Sequence, residues 1–186
     1  MSSHHIVREN QEPALLVEDF HALSDEYLGQ LLEWSPTVIT TTNMLDNFLT
    51  QQIKVDMVYG NESITAQAEI KSIPATSCFW QDALTYLVGN NYKAVNILAK
   101  ELDYSFLAYA SDINIVVFVH GFRYVLVRNR YEKWKAAGQK MFINPSNVKS
   151  FNGLQYIDKD TFEVEQDGFV IFEMNSDQFV FLGEEI

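Results

Sequence analysis

The chain has 186 residues and a formal net charge of −12, with a pI near 4.6. That acidity argues against a nucleic-acid binder, whose affinity rests on Lys and Arg facing phosphates, and against an anionic membrane surface as partner. Apolar residues make up 47%, enough for a sizeable core, yet no apolar run approaches the ~20 residues of a membrane span.

Cys78 is the only cysteine, so no internal disulfide forms and a thiolate-built zinc cluster is excluded. The opening MSSHHIVREN lacks the cationic-then-apolar order of a secretory signal, so cytoplasm is the expected compartment.

In chain order, residues 13–17 form a short apolar run that ends at Glu18 and Asp19. Ser24 is placed to cap a helix over 25–33, with Tyr27, Leu28, Leu31 and Leu32 on one face. Ser35-Pro36 stops it. Residues 37–41 are rich in β-branched side chains and predict a strand. Asn43 is placed to cap the next helix, which carries Leu45, Phe48 and Leu49. Residues 55–59 predict a third strand and 70–74 a weaker fourth. Ser77 is placed to cap a helix in which Phe79, Trp80, Ala83, Leu84 and Leu87 recur at helical spacing. Gly89-Asn90-Asn91 ends it with residues that tolerate positive φ. Residues 94–98 predict a fifth strand and 102–110 a helix.

The last third is punctuated differently. Residues 113–119, a turn at His120-Gly121 and 122–127 predict a hairpin. The polar, basic segment 128–137 reads as a connector. Short runs follow at 140–143, 148–151, 154–157, 161–164, 169–172 and 178–182, separated by turn residues. The expected fold class is therefore α/β. A mostly parallel, doubly wound sheet occupies residues 1–130, and a small antiparallel β-sandwich occupies 131–186. Ligands of such parallel sheets sit outside the carboxyl ends of the strands. That rule selects Glu18, Asp19, Thr41, Thr42, Asn43, Asn61, Glu62 and Ser63 as the candidate rim.

This order of parts resembles the thiamine pyrophosphokinase family, and so do several local segments. Residues 53–60 look like the family's Ile-x-Pro-Asp-x-x-x-Gly, with Val55 in place of proline and Asp56 kept. VKSFNGLQY, residues 148–156, is similar to its Thr-Thr-Gly-Leu-Lys-Tyr segment. Residues 139–143 match the strand that opens its sandwich. The polar loop Gly60, Asn61, Glu62 and Ser63 resembles the family's Gly-Asp-x-Asp-Ser loop without its aspartates.

The resemblance implies diphosphoryl transfer from ATP to thiamine with Mg²⁺, a reaction that rests on positioning and charge neutralisation. It implies cofactor-binding positions at Thr42, Asn43, Gly60, Asn61 and Ser63, catalytic carboxylates at Asp103 and Glu62, and thiamine contacts at Asn152, Gly153 and Leu154. It also implies a homodimer with the site between subunits.

The departures fall on the chemistry. Mg²⁺ is a hard cation that needs carboxylate oxygens. The family's aspartate positions read Thr42, Asn61, Ser63, Thr76 and Phe79 here, and its Gly-Gly-Arg-x-Asp-His segment is shortened to Glu101, Leu102, Asp103 and Tyr104. No metal site is expected, and ATP and Mg²⁺ are expected only if the family activity is retained. Glu18, Asp19, Glu62 and Asp103 are the carboxylates from which a substitute site would have to form. Two readings stand: a degenerate, weak or inactive enzyme of the family, and a non-catalytic ligand-binding or assembly protein on the same fold.

Overall fold

The computed structural model describes residues 12–60 and 70–186. Within them, eleven strands form one mixed sheet and three form a smaller antiparallel sheet.

The parallel part is built from β1 (Ala14–Val17), β2 (Val38–Thr41), β3 (Met57–Tyr59), β4 (Lys71–Ile73), β5 (Ala94–Leu98) and β6 (Asn114–Val119). Their order is β4-β3-β2-β1-β5-β6, so β1 lies centrally, paired with β2 on one side and β5 on the other. Every side chain of β1 is buried, as a strand covered on both faces requires. Leu15 and Val17 face one core with Leu28 of α1 (Asp25–Glu33) and Phe48 of α2 (Leu45–Thr50). Ala14 and Leu16 face another with Ala83, Leu84 and Leu87 of α3 (Phe79–Gly89). The helix between β1 and β2 and the helix before β5 thus cover opposite faces.

The sheet then turns antiparallel. The hairpin expected around His120-Gly121 forms, with β7 (Phe122–Val127) returning along β6. Four later strands extend the sheet in the order β14 (Val180–Glu185), β9 (Lys140–Phe142), β12 (Thr161–Val164) and β11 (Leu154–Asp158). The smaller sheet runs β10 (Val148–Asn152), β13 (Gly168–Met174) and β8 (Arg130–Lys135). Val127, Met141, Phe162 and Leu182 of the large sheet share a core with Val170, Phe172 and Met174 of the small one. The late strands therefore make two facing antiparallel layers.

Four local expectations need correction. Residues 128–137 are not a connector: β8 is a full strand, paired over six residues with β13. Asn43 does not cap α2. It sits inside a short 3-10 turn, Thr42–Met44, and Met44 holds the cap position without a side-chain hydrogen bond. Ser77 does not cap α3 either, since that position falls on Cys78. Residues 102–110 form a 3-10 helix over Tyr104–Tyr109 rather than an α-helix.

Candidate functional site

The carboxyl ends of β1 to β6 define one edge of the large sheet, and the chain crosses it in short loops. After β1, the Glu18 and Asp19 N–H groups both donate to the Leu98 carbonyl, at 2.9 and 3.2 Å, which ties the ends of β1 and β5 together. The Asp19 carboxylate accepts from the His21 N–H at 2.9 Å and so begins a 3-10 turn over Phe20–Ala22. The Glu18 carboxylate accepts from the Lys100 N–H at 3.4 Å. Buried Thr40 donates its hydroxyl to the Val17 carbonyl at 2.9 Å, closing the end of β2 against β1.

Thr42 and Gly60 meet across the ends of β2 and β3. Gly60 has φ +148°, and a Cβ there would come within 3.3 Å of Thr42 Cγ2. The Gly60 N–H donates to the Ile73 carbonyl at 3.1 Å, and Ser72 Oγ donates to the Gly60 carbonyl at 2.5 Å. Gly60 is thus locked between neighbours rather than left as an open cradle. Asn43 stands exposed beside it. Asn61, Glu62 and Ser63 lie outside the described residues.

The loop from β4 into α3 carries the best-organised carboxylate of this edge. Asp82, in the first turn of α3, accepts from the Thr76 N–H and hydroxyl, each at 2.7 Å, and from the Ser77 N–H at 2.8 Å. The bonds from Thr76, then that from Ser77, hold its carboxyl below the usual aspartate range. Tyr59 donates its hydroxyl to the Ser77 carbonyl at 2.7 Å. Burial, and then the Asp82 charge, push that phenol above its ordinary value. Sequence reasoning passed over Asp82. Its signal was its place four residues after Cys78, where a side chain reaches back past the helix start to the N–H groups of the loop before it.

Asp103 follows β5. Its carboxylate accepts from the Ser105 N–H at 2.8 Å and starts the 3-10 helix. Like Asp19 and Asp82, it satisfies backbone donors of its own loop. Among the described residues, no group of three or more His, Cys, Asp and Glu comes together to hold a metal ion. This donor set does not fit Mg²⁺, which needs several converging carboxylate oxygens.

Asn152, Gly153 and Leu154 stand elsewhere. They link β10 of the small sheet to β11 of the large one. Gly153 has φ +73°, and a Cβ there would meet the Phe169 carbonyl at 3.0 Å, so both conformation and space call for glycine. Leu154 is buried in the core between the two sheets, while Asn152 is exposed. In the strand order, β11 lies six strands from β5. At about 4.8 Å per strand, that is roughly 30 Å. Within one chain, these residues do not meet Thr42, Gly60 or Asp103. A separate surface cleft of about 450 Å³, lined by Leu107, Ser111, Arg128, Asp177, Gln178 and Phe179, opens near the start of β6. That is the opposite edge of the sheet.

No protein-family model matches this sequence, and no curated protein matches it. Solved structures do. A protein from Lactobacillus plantarum superposes with a TM-score of 0.69 at 12% identity, over 95% of this chain and 98% of that one. Thiamin pyrophosphokinase from Geobacillus thermodenitrificans gives 0.66 at 11% identity, over 93% and 96%. Thiamin pyrophosphokinase from Candida albicans gives 0.65 at 10%, over 94% and 90%. This chain therefore shares the thiamin pyrophosphokinase fold along nearly its whole length.

Proposed function

We propose that this chain is a thiamin pyrophosphokinase-like protein in which the family reaction, diphosphoryl transfer from ATP to thiamine, is weak or lost. The whole-length likeness of fold supports the first half of this reading. One observation carries the second half. The aspartates at the described strand ends serve their own loops: Asp19 holds His21 N–H, Asp82 holds Thr76 and Ser77, and Asp103 holds Ser105 N–H, while Glu18 accepts from the Lys100 N–H of the loop after β5. Thr42, Asn43 and Thr76 carry no charge with which to hold a dication beside phosphates.

In this reading, residues 1–130 form the nucleotide-facing part and residues 131–186 the thiamine-facing part of a cytoplasmic homodimer. The separation of the two candidate groups by six strands of the sheet, roughly 30 Å, supports the dimer, because a ligand that touched both would have to lie between two chains. Among the described residues, no helix is long and apolar enough to cross a membrane.

The second reading, a non-catalytic ligand-binding or assembly protein, is favoured by exposed Trp134 and Phe169, which are cross-strand partners on the outer face of the small sheet. Incubation of purified protein with ATP, thiamine and Mg²⁺ separates the possibilities. No measurable thiamine diphosphate is expected. Robust turnover abolished by Glu62→Gln or Asp103→Asn would overturn the proposal by revealing a replacement metal site.

A further inference from the structure

The densest charge cluster of the described chain lies away from the carboxyl-end loops, between the two sheets. Glu184 of β14 is 5% exposed. It accepts from Arg123 Nη1 at 2.5 Å, from Lys133 Nζ at 3.3 Å and from Lys135 Nζ. Arg123 is its cross-strand partner on β7. Lys133 and Lys135 are two apart on β8 and so point to the same side, inward from the small sheet. No second carboxylate among the described residues pairs with these three cations. One negative charge therefore faces three positive ones, leaving a local surplus of two in a protein of net charge −12.

A structural ion pair needs one cation for Glu184. Gathering three in partly buried space places like charges together, which is unfavourable unless an anion offsets them. Lys135 is buried, but the Arg123 and Lys133 side chains are 32% and 47% exposed, so the surplus faces an approach from solvent. Arg123 presents a planar fork of donors and the lysines present compact point charges. Together these suit the tetrahedral oxygens of a phosphate group. Tyr131 is the next inward position on β8 and packs against the core between the sheets.

We infer that Arg123, Lys133 and Lys135, arranged around Glu184, form a binding site for a multivalent phosphate-class anion such as a diphosphate. The location follows from the topology. Arg123 is the second residue of β7, just past the His120-Gly121 turn, and the Gly121 N–H donates to the Ala22 carbonyl of the loop after β1. The site therefore borders the carboxyl edge of the parallel strands from the face that α1 and α2 cover. The inference stands on this charge geometry and does not depend on any residual thiamine chemistry.

Inorganic pyrophosphate is the probe. Full-length protein is titrated at constant ionic strength, with sodium chloride as the control. Pyrophosphate should raise Tm above the chloride value. Lys133→Gln, at a half-exposed position, should weaken binding by roughly tenfold or more, the worth of a charged hydrogen bond. Amide chemical-shift mapping on the unmodified protein gives a second reading that needs no variant. The largest changes should cluster at residues 122–124, 131–135 and 183–185. A pyrophosphate effect no greater than chloride, unchanged binding by the Lys133→Gln protein, or shifts centred elsewhere would overturn the inference.

Discussion

Gly183 and Glu184 are neighbours on β14 with opposite demands, one for empty space and one for charge. A Cβ on Gly183 would stand 2.6 Å from Tyr124 Cε1 and 3.3 Å from Phe142 Cβ. Tyr124 has little room to retreat, because its ring packs near Phe122 and Phe181, with centroids 6.5 Å apart in each case. Gly183→Ala should cost about 1–3 kcal/mol, the usual penalty of overpacking, read by urea denaturation. Glu184 points to the other face. Burial alone would raise its carboxyl, but the Lys135 hydrogen bond, the Lys135 and Lys133 charges and the Arg123 hydrogen bond outweigh burial and hold it below the ordinary glutamate value. A depressed folded value fixes the sign of the pH effect. The contribution is complete above the unfolded value of about 4.3 and is lost as pH falls from there through the lower folded value. Glu184→Gln should remove that acid-side slope. It should also lower stability near neutral pH by about 3 kcal/mol, the low end for breaking a buried pair, since two of its three partners are partly exposed. Denaturation curves that keep the same acid slope in the variant would contradict this.

At the scale of elements, the regular apolar patterns were legible and the exceptions have physical causes. β5, β12 and α1 run over the same residues that their β-branched or amphipathic patterns predict. The Ser24 hydroxyl accepts from the Tyr27 N–H, as its place before the helix suggests. β8 was hidden because its inward positions are Tyr131, Lys133 and Lys135. The strand points two lysines at a buried carboxylate, so the apolar alternation that marks a strand is absent. Capping differs at α3 because Asp82 reaches back from inside the helix to the Thr76 and Ser77 N–H groups, which fixes the chain before the helix and leaves the cap position to Cys78. The candidate rim was legible from topology alone, because strand ends follow from strand order. The engagement of Asp19 and Asp103 with their own loops was not, since an aspartate in a loop looks the same whether it faces a ligand or a backbone N–H. The Asp82 cap makes its own prediction. Its carboxyl is held low, chiefly by Thr76, so its bonds persist above the ordinary aspartate value of about 3.9 and fail as pH falls below it. Protection factors for hydrogen exchange at Thr76, Ser77 and the first turn of α3, taken against the intrinsic rate at each pH, should fall in acid. Asp82→Asn should show the lower protection already at neutral pH. Equal protection in both proteins at neutral pH would sink the idea.

At the scale of the molecule, the question is what the outer face of the small sheet meets. The late strands are rich in phenylalanine, and most of it is buried or half-buried. Phe162, Phe172 and Phe181 are buried, and Phe179 is half-buried beneath the Arg128 guanidinium, 4.8 Å from its ring centroid. Phe151 is 43% exposed, and Phe169 is the most exposed, at 64%; its cross-strand partner Trp134 is 54% exposed. On that same outer face lie Ile171 and the ion network of Arg130 with Glu132 and Glu173. An apolar centre with a charged rim is the usual anatomy of a specific protein interface. The distribution of candidate ligand residues points the same way. Asn152 lies at the end of β10 and is a register partner of Ile171 on β13, so it belongs to this sheet. Thr42, Gly60 and Asp103 lie strands away. A homodimer would let one copy's small sheet approach the other copy's strand ends, and a specific interface of that kind buries about 1,200–2,000 Å² in total. Light scattering at micromolar concentration should therefore give twice the chain mass. Phe169→Asp, which places a charge at the apolar centre without touching the core between the sheets, should shift the protein to monomer while leaving its circular dichroism unchanged. A monomer mass for the unaltered protein would refute the dimer outright. A dimer insensitive to Phe169→Asp would place the interface on another face.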